Sequence, residues 1–330
     1  MMPRLKFAHL PTPIEMLPRL SEILGGPHLL VKRDDQTGLA FGGNKTRKLE
    51  FLLADAQTQS AQMLITAGAV QSNHCRQTAA AAAHFGFKCI LVLTGDQPAQ
   101  VSGNLLLDHL FGAKFVWTEK DQREAMLQRT FDQAKEQGLK PYLVPYGGSN
   151  TIGARGYVYA VEELMAQKPY KGSQHSQGCP DWIVFASSSG GTQAGLVLGA
   201  RLFGYKGKIL GISVDEPEQV LQDRMAKLAS ETAESLGKQI EFSPAEILVN
   251  ADYNASGYGV LTEAEREAIH LFARYEGLLL DPVYTGRAAA GMVDLIRKGF
   301  FKKDETVLFW HTGGTTALFA EKYQSDLIEG

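Results

Sequence analysis

Short apolar runs alternate with amphipathic stretches along almost the whole chain, and this rhythm constrains the fold more than any other feature. Eight runs read as strands: 28–32, 63–67, 89–94, 114–117, 142–145, 182–186, 209–214 and 306–310. Helical periodicity marks 45–58, 74–85, 103–111, 122–137, 153–166, 192–202, 217–236, 262–275, 286–298 and 315–323. Strands covered by helices on both faces read as continuous apolar runs. Their alternation with helices means βαβ units and parallel sheets. The expected class is therefore α/β, with two three-layer αβα domains on parallel-type sheets. Four strand–helix units of similar size lie between about 50 and 160, and longer helices follow. This predicts a small domain over 49–161 and a large one made of 1–48 and 162–330. Two stretches break the rhythm. The polar cluster 171–180 (KGSQHSQGCP) reads as a surface connection. The segment 241–259 is poorly periodic, and long irregular stretches inside compact domains are often functional.

At 330 residues, 44% of them hydrophobic, the chain is long enough for one large or two medium cores. A formal charge of −3 leaves no footprint for nucleic acid or an anionic membrane, so any anion site must be local. No apolar run approaches the roughly 20 residues that span a bilayer. The opening MMPRLKFAHLPTP lacks a signal-peptide pattern. Cys75, Cys89 and Cys179 have no metal-ligand spacing, and a sparse, odd cysteine count suits a reducing compartment. A cytoplasmic protein with buried cysteines is expected.

Five segments carry chemistry. Residues 186–195 (ASSSGGTQAG) join an apolar run to a helix. A helix N-terminus offers free N–H groups and a positive dipole end. Gly190 and Gly191 let an anion reach the backbone, and Ser189 and Thr192 add hydroxyls, which makes a phosphate cup. The spacing is neither G-x-G-x-x-G nor a Walker loop, so an isolated phosphate monoester is the simple occupant. In 41–48 (FGGNKTRK), Lys45 sits in the first turn of a helix, where a cation is disfavoured and its pKa falls. A lysine that is readily neutral is a Schiff-base former. Arg47 and Lys48 read as ordinary exposed residues further along that helix.

Residues 68–74 (GAVQSNH) bring amides and a hydroxyl to another strand-to-helix turn. These groups can grip a carboxylate or a ring hydroxyl, although a plain polar N-cap is the competing reading. Tyr258 lies between two glycines, and Tyr284 lies in the turn DPVYTG at 281–286. Either can point its hydroxyl into a cleft or simply be half-buried. Residues 311–315 (HTGGT) could close a site from a second strand end. Ligands of open α/β sheets sit beyond the strand carboxyl ends, and all five segments fit that location.

Read together, these segments resemble the fold-type II pyridoxal-5′-phosphate (PLP) enzymes of the tryptophan synthase β-like group. The nearer likeness is to D-cysteine desulfhydrase and 1-aminocyclopropane-1-carboxylate (ACC) deaminase. The resemblance runs from 9–13 (HLPTP) and 32–35 (KRDD) through 280–286 (LDPVYTG) to 311–314 (HTGG). It implies that Lys45 binds PLP, that Asn73 bonds the cofactor's O3′, and that Ser189, Gly190, Gly191 and Thr192 hold the phosphate. It further implies that Thr312 touches the pyridine nitrogen, and that Ser72, Asn73 and His74 meet the substrate. Tyr258 and Tyr284 would face the substrate and the lysine, so the implied catalytic set is Lys45, Tyr284, Tyr258 and Ser72. The deaminase pattern has Glu where this chain has Thr285 and Leu where it has Thr312. Both differences favour a carbon–sulfur lyase acting on a small amino acid, best D-cysteine. L-cysteate sulfo-lyase is a third relative, sharing the Thr-Gly-Gly after the last strand. Ser187 and Ser188 stand where Gly is common before the phosphate loop. Family habit implies a homodimer. A nicotinamide-dependent dehydrogenase lacks its fingerprint here, and a non-catalytic PLP-binding protein is the alternative from another class.

Overall fold

A computed structural model describes residues 3–167 and 178–328. The strands are Ile14–Met16 (β1), His28–Arg33 (β2), Met63–Ala69 (β3), Lys88–Thr94 (β4), Lys114–Thr118 (β5), Pro141–Leu143 (β6), Trp182–Ser187 (β7), Lys208–Ser213 (β8), Leu248–Asn250 (β9) and Thr306–His311 (β10). They form two sheets, ordered β1-β2-β10-β7-β8-β9 and β5-β4-β3-β6. Every neighbouring pair is parallel except β1 with β2.

Alternation along each strand explains the layering. Leu29, Val31, Val184, Ile212, Val307 and Phe309 enter one core, while Leu30, Ile183, Phe185, Leu308 and Trp310 enter the core on the opposite face. The second sheet divides in the same way, with Leu64, Leu91 and Leu93 on one side and Ile65, Ala67 and Val92 on the other. Both faces are covered by helices, so a parallel sheet is the stable arrangement. All three cysteines are buried. Among the described residues no helix is long and apolar enough to cross a membrane.

The expected strands and helices form to within a few residues. The exception is 315–323, which is a 3-10 turn, Thr315–Phe319, followed by a separate helix, Glu321–Ile328. Ala320 between them is extended (φ −73°, ψ 131°) and buried. Three short elements had no periodic signal: β1, β9 and the helix Pro18–Leu24. Elements this short cannot display a period. The seams expected after 48 and 161 fall inside continuous helices, Asn44–Thr58 and Thr151–Gln167. Of the polar cluster 171–180, residues 171–177 lie outside the described residues.

A buried ionic cluster fixes the helix Asn44–Thr58 to the first sheet. Arg47 lies 2.7 Å from Asp34 and 2.9 Å from Glu163, and Lys32 lies 2.6 Å from Glu163. Thr12 and Tyr157 donate to Asp34 at 2.9 and 2.5 Å. Burial works against the Asp34 carboxylate, yet Arg47, Lys32 and the Tyr157 hydroxyl hold its pKa below the usual carboxylate range. Replacing Arg47 with Met would leave two acids facing each other across the cluster. We expect the unfolding free energy to fall by about 3–5 kcal/mol, read from urea unfolding midpoints. A loss below about 1 kcal/mol, the range of surface pairs, would contradict this account.

Candidate active site

The chain leaves β2 through a 3-10 turn, Asp34–Gln36, and reaches Gly42 and Gly43 at φ +63° and +123°. A Cβ on Gly43 would lie 2.6 Å from the Gln77 side chain and 3.1 Å from the Thr312 carbonyl. Glycine therefore lets this turn press against the loop that follows β10. The Asn44 N–H then donates to the Thr312 carbonyl at 3.0 Å, and its Nδ2 donates to the Thr192 hydroxyl at 3.1 Å. These two bonds draw the ends of β2, β7 and β10 around Lys45, the first residue after Asn44.

One pocket gathers Lys45, Asn73, His74, Ser189, Gly190, Thr192, Tyr284 and Thr312 from five separate segments. Tyr258 joins through its hydroxyl, 2.6 Å from that of Tyr284. Ser72 and Gly191 stand one step back. The Ser72 hydroxyl accepts the Cys75 N–H at 3.2 Å and caps the helix Asn73–Phe85. The Gly191 N–H donates to the Ser149 hydroxyl at 3.1 Å, and Ser149 also lies 2.8 Å from the Ser189 hydroxyl.

Burial lowers the Lys45 pKa to about 8. An amine with that pKa is neutral in a sizeable fraction of molecules near neutrality, which nucleophilic attack on an aldehyde requires. The expectation that Arg47 and Lys48 are exposed is overturned, since both are buried. The reason is that the helix carrying them is wedged against Thr151–Gln167 and Asn73–Phe85. Lys48 Nζ donates to the Gly147 carbonyl at 3.0 Å and to the Ser149 hydroxyl at 3.3 Å. Among the described residues no carboxylate pairs with it. Burial, and then the charge of Lys45, push its pKa well down.

This buried amine, which no carboxylate meets among the described residues, tests whether a phosphorylated cofactor suits the site. Ser149 links it to the backbone N–H of Gly191 and to Ser189, in the phosphate cup expected from sequence. An anion in that cup would favour the protonated form of Lys48 and be paired by it, so the residues fit a phosphate.

Hydrogen bonds orient the other side chains. The Asn104 Nδ2 donates to the Asn73 Oδ1 at 2.9 Å, which leaves the Asn73 Nδ2 as the donor still available. Thr66 gives its one hydroxyl proton to the Val144 carbonyl at 2.8 Å. It must therefore accept from the His74 Nε2–H, also at 2.8 Å. The His74 Nδ1 then carries a lone pair, buried and without a partner among the described residues. Burial, followed by Lys45 and Lys48, keeps His74 neutral. Burial likewise raises the pKa of Tyr258 and Tyr284, so both phenols keep their protons.

The loop that carries Tyr258 belongs to the aperiodic 241–259 stretch. Buried Arg287 donates to the Gly257 carbonyl at 2.9 Å, to the Ser256 hydroxyl at 2.9 Å and to the Val214 carbonyl at 2.7 Å, and it pairs with Glu265 at 2.7 Å. Sequence reasoning missed Asn44, Lys48, Asn104 and Ser149. The spacing of Lys48, three residues after Lys45 on one helix face, was a usable signal. Asn104 and Ser149 meet the site only through tertiary contacts.

Comparison with known proteins agrees with this chemistry. Residues 5–313 match the family model described as pyridoxal-phosphate dependent enzyme. A crystal structure of an ACC deaminase homologue is 38% identical, with a TM-score of 0.89, covering 99% of this chain and 96% of the other. A fungal L-serine ammonia-lyase from Rhizomucor miehei shares the fold at 16% identity and a TM-score of 0.67, covering 98% of each chain. The chain belongs to the pyridoxal-phosphate dependent enzyme family and has its fold-type II architecture.

Proposed function

We propose that this protein eliminates a β-substituent from a small amino acid, and that D-cysteine is its best substrate. Water and D-cysteine would give pyruvate, ammonia and hydrogen sulfide. The observation that carries this reading is a buried amine with pKa about 8, sharing one pocket with a pair of hydrogen-bonded tyrosines. Bound PLP supplies an electron sink for negative charge at the substrate Cα. Lys45 would hold the cofactor's aldehyde, and once the incoming substrate amine has taken its place there, the freed neutral Nζ would be placed to remove the Cα proton. Ser189, Gly190, Gly191 and Thr192 would cradle the phosphate, with the Lys48 amine behind them through Ser149. Asn73 Nδ2 would be the donor for O3′, and Thr312 would offer a hydroxyl to the ring nitrogen. A hydroxyl, unlike a carboxylate, leaves that nitrogen mostly unprotonated, which favours prompt loss of the β-substituent. The Tyr258–Tyr284 pair donates a proton to the departing sulfur.

Thr285 supports elimination over ring opening. Its hydroxyl and amide are held by the Asp281 carboxylate at 2.7 Å, so this position gives the pocket no acid. A panel of D-cysteine, L-cysteine, L-cysteate, D-serine and the cyclopropane amino acid, each scored for its keto-acid product, tests the assignment. Pyruvate with sulfide, fastest from D-cysteine, is expected. Turnover of the cyclopropane substrate alone, giving 2-oxobutyrate, would assign the protein to the deaminases.

A homodimer belongs to the same proposal. Leu106 and Leu110 lie one turn apart and exposed on the helix Gly103–Leu110, which packs against the turn Thr315–Phe319, where Phe319 is also exposed. An apolar patch of this kind favours a protein partner. Sedimentation should give twice the 36.0 kDa chain mass, whereas a monomer at micromolar concentration would count against the dimer.

A further inference from the structure

A second cleft adjoins the Lys45 pocket and shares Ser188 and Ser189 with it. Its charged lining comprises Glu119, Glu124, Asp215 and Glu216 against Lys120, Arg123 and Arg224, one negative charge in excess. Two of the cations are already engaged. Arg224 lies 3.1 Å from Glu216 and donates to the Ser188 carbonyl at 3.2 Å. Arg123 lies 3.1 Å from Glu124, with its guanidinium 4.2 Å from the centre of the Tyr146 ring. Lys120 is the third cation of the lining and acts on Asp215 through its charge.

Asp215 occupies the turn between β8 and the helix Glu218–Ser235, beyond the carboxyl end of its strand. The Ser188 hydroxyl donates to its Oδ2 at 3.0 Å. A carboxylate is thereby held one hydrogen bond away from the cofactor pocket. Its Oδ1 is buried and has no partner among the described residues. The same carboxylate acts electrostatically on the hydroxyls of Tyr146, Tyr258 and Tyr284. Asp215 therefore lines the cleft that adjoins the cofactor pocket, on the side of the paired tyrosines. Burial, opposed by the Ser188 bond and reinforced by Glu216, pushes its own pKa up.

An acceptor that is buried without a donor is unfavourable, and a ligand carrying a donor relieves it. From this arrangement we propose that Asp215 sets side-chain specificity, admitting amino acids with small, neutral, hydrogen-donating side chains and turning away anionic ones. The inference rests on the elimination site proposed above and narrows its substrate class. A thiol or hydroxyl can donate to Oδ1. A sulfonate or carboxylate would meet a like charge where water screens poorly, so that the pair could coexist only if Asp215 took up a proton. Discrimination by a repulsive group is a recognised route to specificity. Within the family likeness seen from sequence, this disfavours L-cysteate.

Asparagine and aspartate, which have nearly the same shape and differ by one charge, test the proposal without turnover. Each enantiomer is titrated into the PLP-loaded protein, and binding is read from the visible absorbance of the cofactor. The natural protein should bind asparagine roughly tenfold more tightly than aspartate, or better. In Asp215→Asn that preference should shrink to about twofold. Asp215→Ser should behave alike, which guards against a folding defect peculiar to one variant, and both should retain the cofactor's colour. A preference unchanged in the variants overturns the proposal. So does failure of either amino acid to bind any of the three proteins while D-cysteine still alters the spectrum. If no amino acid, D-cysteine included, alters it, the elimination reading fails and the inference falls with it.

Discussion

Arg47 cannot be buried alone, and the way its charge is met organises the rest of the molecule. Asp34, at the end of β2, and Glu163, on the helix Thr151–Gln167, close on its guanidinium within 3 Å. An isolated guanidinium in this position would be strongly destabilising, while a paired and fully hydrogen-bonded one is tolerated. The pairing locks the helix Asn44–Thr58 in rotation and height. Lys45 and Lys48 lie on that helix two residues before and one residue after Arg47. The cluster therefore decides where both amines sit, and no local propensity could do so.

With the helix fixed, electrostatics does the remaining work. Two amines share a water-poor region in which no carboxylate pairs with Lys48 among the described residues. Burial acts on both, lowering Lys45 to about 8, and Lys45 further depresses Lys48. A site in that state favours an anion, which would draw a proton back onto Lys48, and the turn at 190–191 is where the proposed phosphate would sit. Tyr258 and Tyr284 complete the contrast, since burial keeps them protonated while it makes the lysine easier to deprotonate.

Much of this was legible in the sequence because it is written locally. A strand buried on both faces shows itself as an apolar run, and a turn that must admit an anion shows glycine beside hydroxyls, as at 189–192. Strand carboxyl ends converge in a parallel sheet, so the polar turns after β2, β3, β7 and β10 meet in one pocket, whereas Tyr284 reaches it from the turn between two helices. Three-residue strands such as β1 and β9 carry no period and stayed invisible. The segment 315–323 reads as one helix because a single extended residue, Ala320, leaves the hydrophobic pattern unbroken. Lys48 and Arg47 look solvent-exposed by residue type, and only packing against two other helices reveals otherwise. Asn104 and Ser149 act from distant segments. Asp215 gains meaning only through Ser188, 27 residues away.

The claim on which everything else stands is a covalent bond between Lys45 and the cofactor, formed by an amine whose basicity burial has reduced. The direct measurement is borohydride trapping of cofactor-free protein mixed with PLP across a pH series, followed by peptide mapping. The account predicts a single tagged peptide containing Lys45, with an attachment rate that rises with pH to a half-maximum near 8. A tag on another lysine, or a half-maximum near the roughly 10.4 of an unperturbed lysine, would contradict it.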